Sequence, residues 1–151
     1  MRKTSSLARL LAFVVVLVWC ASAVVAAPPE PSFRVIVHKS NPVTSMSRSD
    51  LERLFLKKES RWSEDRPADP IDQASTSPVR AEFSRLVLHK STDAVVSYWQ
   101  QRIFSGRGVP PALRGSEAEI VDYIAKSPGG VAYVSAAADL KDTKVVVVIF
   151  E

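Results

Sequence analysis

Ser116-Glu117-Ala118-Glu119-Ile120-Val121-Asp122-Tyr123-Ile124-Ala125-Lys126-Ser127-Pro128-Gly129-Gly130-Val131-Ala132-Tyr133-Val134 is the stretch that decides the fold class. Ser116 with Glu119 three residues on is a capping box, which satisfies free amides at a helix start. Ile120, Val121 and Ile124 then share one helical face and form its buried stripe. Pro128-Gly129-Gly130 cannot continue the helix. Val131 to Val134 follows at once as a short apolar strand. A helix that leads straight into a buried strand is the repeating step of a layered α/β domain.

The same alternation runs outward in both directions. Phe33-Arg34-Val35-Ile36-Val37 reads as a first strand, broken at Asn41-Pro42. Ser47 with Asp50 is a second capping box, and Leu51, Leu54 and Phe55 give a short amphipathic helix. Lys57 and Lys58 lie at its end, where cations favour the dipole. Trp62 falls in the next loop as a plug over the core edge. Pro70-Ile71-Asp72 predicts a short strand. Val79, Phe83, Leu86 and Val87 line a further helix with Pro78 in its first turn. Ser91 or Thr92 starts another helix, with Val95, Trp99 and Ile103 on its apolar side and Gly106 at its end. Residues 144–150 are nearly continuously apolar, the pattern of a strand buried on both faces. Phe83, Val95, Trp99, Ile120, Ile124 and Val146 are the expected core. The fold class is α/β: one domain over residues 33–151, with a mixed or parallel sheet flanked by about four helices.

The N-terminal residues belong to a different kind of segment. Arg2, Lys3 and Arg9 form a basic start, residues 10–21 are apolar, and small residues gather at Ala21, Ser22, Ala23, Ala26 and Ala27. This order predicts a cleaved secretory signal over residues 1–26, and a periplasmic or secreted product. The apolar core is shorter than the ~20 residues of a membrane span, so no span is expected after cleavage. Cleavage after Ala26 has small or branched residues at the right offsets, and cleavage after Ala23 is the alternative. Residues 27–32, with Pro28, Pro29 and Pro31, form a stiff leader. Cys20 is expected to leave with the signal, because Trp19 precedes it where a lipid-modified cysteine needs a small residue. The mature part then has no thiol chemistry and no disulfide. The chain carries 20 Lys+Arg against 16 Asp+Glu, and three of the bases lie in the signal. The remaining 17 against 16 lacks the basic excess of a nucleic-acid binder.

Few residues carry chemistry. His38 and His89 are far apart, and no His/Cys/carboxylate cluster has metal spacing. No nucleophile elbow, glycine-rich phosphate loop or zincin motif occurs. Glu64 and Asp65 read as a solvated turn. The expectation is therefore a non-enzyme, with no catalytic residue, no metal and no cofactor. The best candidate site is Ser75-Thr76-Ser77 at a helix start. Hydroxyls and free backbone N–H groups meet there, and the partial positive charge of the helix end favours an anion. Arg80 lies one turn inside and adds charge. The competing reading makes these residues plain helix caps, with Arg80 paired to Glu82 or Glu64.

Several pieces, taken in order, resemble the phosphate-binding component of bacterial phosphate ABC transporters, specifically its second lobe. Residues 47–56, followed by Trp62, resemble the family's "Leu-Ser-x-x-x-Leu-x-x-Ile-Phe-Leu-Gly-Lys" helix and its tryptophan. Residues 75–83 take the place of its "Arg-x-x-x-Ser-Gly-Thr-x-x-x-Phe" segment. Tyr98-Trp99 and Phe104-Ser105-Gly106 resemble "Tyr-Trp…Phe-x-Gly", and residues 127–134 resemble "Asn-Pro-Gly-Ala-Ile-Gly-Tyr-Val". The resemblance covers residues 35–134. It implies a single lobe of the type II periplasmic-binding-protein kind. The function it implies is solute binding, or an accessory role, in phosphate uptake or sensing, with a transporter or sensor protein as partner. Two departures accompany it. The family's other lobe has no counterpart in this sequence. With Phe83 as anchor, Ser77 matches the motif serine, but Pro78 replaces the glycine, Val79 the threonine and Gln73 the arginine. The resemblance thus implies a weakly held phosphate or similar small oxyanion. The alternative is a protein-interaction module that kept the lobe and lost the ligand.

Overall fold

The computed structural model describes residues 31–62 and 65–150. The expected signal, residues 1–26, and all but Pro31 and Ser32 of the expected leader lie outside the described residues. The elements are β1 (Phe33–His38), β2 (Ser45–Ser47), α1 (Arg48–Phe55), β3 (Asp69–Gln73), α2 (Pro78–Leu86), α3 (Thr92–Phe104), β4 (Ala112–Arg114), α4 (Glu117–Ile124), β5 (Gly130–Ser135) and β6 (Thr143–Ile149). The strands form one six-stranded sheet in the order β2-β6-β1-β5-β3-β4. β2 runs parallel to β6, and β3 runs parallel to both β4 and β5. β1 is antiparallel to its neighbours β5 and β6. The sheet is therefore mixed, with β1 alone reversed, and four helices flank it.

The local signals that start each helix work as the sequence implies. The Ser47, Ser77, Ser91 and Ser116 hydroxyls each accept an N–H from the residue three positions on. The two sheet faces carry separate cores. On one, Val35, Val37, Val131, Tyr133 and Val146 meet Leu51, Leu54 and Phe55 of α1, Phe83 of α2, and Val95 and Trp99 of α3. On the other, Ile36, Ile71, Ala132 and Val134 meet Ile120, Val121 and Ile124 of α4. Strand residues alternate between the two clusters because successive side chains point to opposite faces.

Trp62 is buried, and its indole Nε1–H donates to the Gly129 carbonyl at 3.1 Å. The same carbonyl accepts the Asp69 N–H at 2.9 Å. A Cβ on residue 129 would stand 2.4 Å from the Pro67 carbonyl oxygen, so only glycine admits this approach. The turn that ends α4 thus also fixes the start of β3.

Two expectations fail. The residue 144–150 run does form a strand, but it is not buried on both faces: Val146 is buried, whereas Val147 is 62% exposed and Ile149 52%. α4 covers the centre of its sheet face and leaves that side of β6 bare. Ile103 is likewise 49% exposed, one turn beyond the buried Trp99. The six residues expected in the core are all buried. Among the described residues no helix is long and apolar enough to cross a membrane.

Candidate functional site at the start of helix α2

β3 ends at Gln73, and a tight turn carries the chain into α2. The Ser77 N–H bonds back to the Ala74 carbonyl at 2.9 Å, which places Ser75 and Thr76 at the exposed corner. The turn lies at the carboxyl end of a parallel strand, where ligands gather in open α/β sheets. Pro78 at the first helical position has no N–H to offer. Among the described residues, the amides of Ser75, Thr76 and Val79 have no hydrogen-bond acceptor. The corner therefore presents backbone donors, two exposed hydroxyls and the positive end of a helix.

Ser77 and Arg80 are placed differently. The Ser77 hydroxyl donates to Gln73 Oε1 at 2.7 Å and accepts the Arg80 N–H at 3.2 Å. Arg80 is buried, and its guanidinium turns inward, away from the corner. One terminal nitrogen donates to the Gln73 carbonyl at 2.9 Å, and the other pairs with Asp72 at 2.9 Å. This replaces the pairing with Glu82 or Glu64 that the sequence suggested. Glu82 instead accepts from the N–H and hydroxyl of Ser32, and Glu64 lies outside the described residues.

Beneath the corner lies a polar network that sequence reasoning missed. Asp72 is buried at the middle of three partners. Its Oδ1 accepts the Tyr133 hydroxyl and the Gln73 N–H, the latter at 2.8 Å, and its Oδ2 faces Arg80. Gln73 Nε2 donates across to the Tyr133 carbonyl at 2.9 Å. Burial raises the Asp72 carboxyl above its ordinary range, while the Tyr133 hydroxyl, Arg80 and the Gln73 amide act against that rise. Burial, followed by the charge of Asp72 and the bond to it, pushes the Tyr133 phenol far up, so it stays a donor. A charge inside the short Pro70-Ile71-Asp72 strand was the available signal, since a buried carboxylate needs a cationic partner. Arg114 is the register neighbour of Gln73. Its guanidinium lies over the Tyr123 ring at 4.5 Å and bonds the Leu113 carbonyl, so it serves the α4 side of the sheet. No group of three metal-ligating side chains occurs among the described residues.

The site thus lies on a mixed six-stranded α/β sheet with helices on both faces, at an open helix start beside a strand's carboxyl end. Several solved structures are similar in fold to this chain. One is a putative phosphate ABC transporter substrate-binding protein with bound phosphate from Clostridium perfringens: TM-score 0.61, 19% identity, covering 78% of this chain and 44% of that one. Another is an ABC-type phosphate transport receptor from Vibrio cholerae: TM-score 0.62, 16% identity, covering 78% and 46%. A third is PstS from Borrelia burgdorferi: TM-score 0.61, 15% identity, covering 78% and 47%. The chain spans less than half the length of each. No family model and no curated protein sequence matches it.

Proposed function

We propose that the chain is an exported solute-binding or accessory protein of phosphate uptake that holds a small oxyanion weakly at the start of α2. The observation that carries this reading is the corner itself. Ser75, Thr76 and Val79 offer unbonded amides at a helix N-terminus, and Ser75 and Thr76 add exposed hydroxyls. The fold is shared with proteins whose names state phosphate transport. Those neighbours are transport binding proteins rather than enzymes, and we read this chain as non-enzymatic too. Ser77 supports the turn through its hydroxyl, and Arg80 supports it through its amide and its bond to Gln73.

Weak binding follows from what the corner lacks. Gln73 stands where a bidentate, charge-assisted arginine contact would be strongest, and Val79 has no hydroxyl. The Arg80 guanidinium is taken up by Asp72. Each charged hydrogen bond contributes roughly 1.5–3 kcal/mol, and an anion left in contact with water is heavily screened. Phosphate is thus expected to bind at roughly millimolar strength or weaker. Titration with phosphate, followed by amide NMR, should move the signals of residues 75–80 and lose the effect in salt. A sub-micromolar site would refute weak binding, and shifts confined to another face would remove this site.

A second reading has its own observation in favour. Arg80 is paired with Asp72 and so is not available to an anion at the corner, which favours a protein-interaction module that kept the lobe and lost the ligand. In that case phosphate moves no amide at residues 75–80. Export to the periplasm or beyond belongs to either reading. The intact mass of the exported chain should start at Ala27 or Val24, and recovery of a membrane-embedded form with Met1 would refute cleavage.

A further inference from the structure

The apolar stripe of α3 continues past the core that its first turns fill. Val95 and Trp99 are buried, but Ile103 is 49% exposed and Phe104, the last residue of the helix, is 90% exposed. Leu113 and Val109 extend this surface at 54% and 63%. Leu113 pairs with Asp72 in the β3–β4 register, so it stands on the same sheet face as α1, α2 and α3. Phe104 ends α3 on that face, and residues 105–111 join the two. The connecting loop is held rather than loose. Arg102 donates to the Arg107 carbonyl at 2.8 Å, and the Arg107 N–H donates back to the Arg102 carbonyl at 2.8 Å. Lys57 Nζ donates to the Pro110 carbonyl at 3.3 Å.

The charges that this turn carries have one sign. Arg102 and Arg107 flank Phe104, and between Asp93 and Glu117 the sequence has no carboxylate. Lys57 joins them through its bond to the loop. Among the described residues none of these three cations pairs with an acid. A second copy of the chain would bring like charges together, which argues against a symmetric pairing of this surface. The apolar side chains also project from a turn rather than line a groove. The two grooves described, one between α1 and the Trp62 loop and one between α2 and α3, contain none of them. A projecting aromatic among cations enters a fluid interface without a matching cavity, and the cations then face anionic headgroups.

We infer that the end of α3 and its loop, with Phe104 at the tip and Arg102, Arg107 and Lys57 around it, form a docking surface for an anionic lipid bilayer. This does not depend on phosphate binding. The test uses the full chain with Cys20→Ser and Phe104→Cys, labelled at position 104 with a polarity-sensitive dye. The dye reports the loop and not the N-terminal segment. Vesicles containing phosphatidylglycerol should shift the dye to the blue, and salt should weaken the effect. Phosphatidylcholine vesicles alone should leave it in water. In the labelled chain, Arg107→Glu should weaken the blue shift on the anionic vesicles. An unshifted dye overturns the inference even if the chain sediments with vesicles, as does an equal shift on neutral lipid. Capture of an acidic protein at this loop, without a vesicle response, overturns it as well.

Discussion

Replacing Phe83 by alanine is expected to destabilise the fold by about 3–5 kcal/mol, the range for removing a core aromatic. Phe83 is fully buried in α2, and its ring stacks on Tyr133 of β5, with centroids 3.9 Å apart and planes 6° from parallel. Phe55 lies 4.7 Å away on α1, and Phe33 of β1 meets it edge-on at 5.4 Å. Four elements therefore lose contacts at once. The surrounding rings are rigid and cannot collapse into the space, so the cavity term adds to the lost transfer energy. Urea or guanidinium melts measure the loss through the midpoint at unchanged slope. A loss below ~1 kcal/mol would mean that the aromatic cluster does not hold α2 to the sheet.

That cluster also shows why much of the fold was legible. The helices announce themselves by caps and by period. Ser47, Ser77, Ser91 and Ser116 precede apolar stripes, and each is observed as an N-cap. Long strands with branched residues were equally readable at β1 and β5. β2 and β4 were not, because three-residue strands such as Ser45–Ser47 and Ala112–Arg114 have no room for a period and take their conformation from the neighbour they pair with. The exposure of β6 and of Ile103 was illegible for a related reason. Apolar content tells which residues prefer to be covered, not whether the chain has an element left to cover them. For the candidate site, Ser77 and Pro78 marked the helix start, and Ser75 and Thr76 fell at its corner. The inward turn of Arg80 was out of reach, since it depends on Asp72 and Tyr133, which only the β3–β5 neighbourhood brings together.

The buried pair makes the second large effect. Asp72→Ala should cost about 3–5 kcal/mol, because it strands the Arg80 guanidinium without a counter-charge in a site closed to water. Tyr133 and the Gln73 amide lose their acceptor at the same time. The double change Asp72→Leu with Arg80→Met should recover most of the loss, since removing both charges removes the desolvation cost as well. The pH dependence has a definite sign. Burial, the largest influence on Asp72, raises its folded pKa above the unfolded value. Between the two values the folded state holds a proton that the unfolded state has released. The stability due to this group is fully present below the unfolded value and is lost as pH rises through the folded one. Asp72→Asn cannot titrate, so the stability of the wild type minus that of this variant should fall across that window and level off above it. Paired denaturant melts at several pH values give this difference free of the other carboxylates. A difference that rises with pH would show that Arg80, Tyr133 and the Gln73 amide outweigh burial and hold the carboxyl ionised.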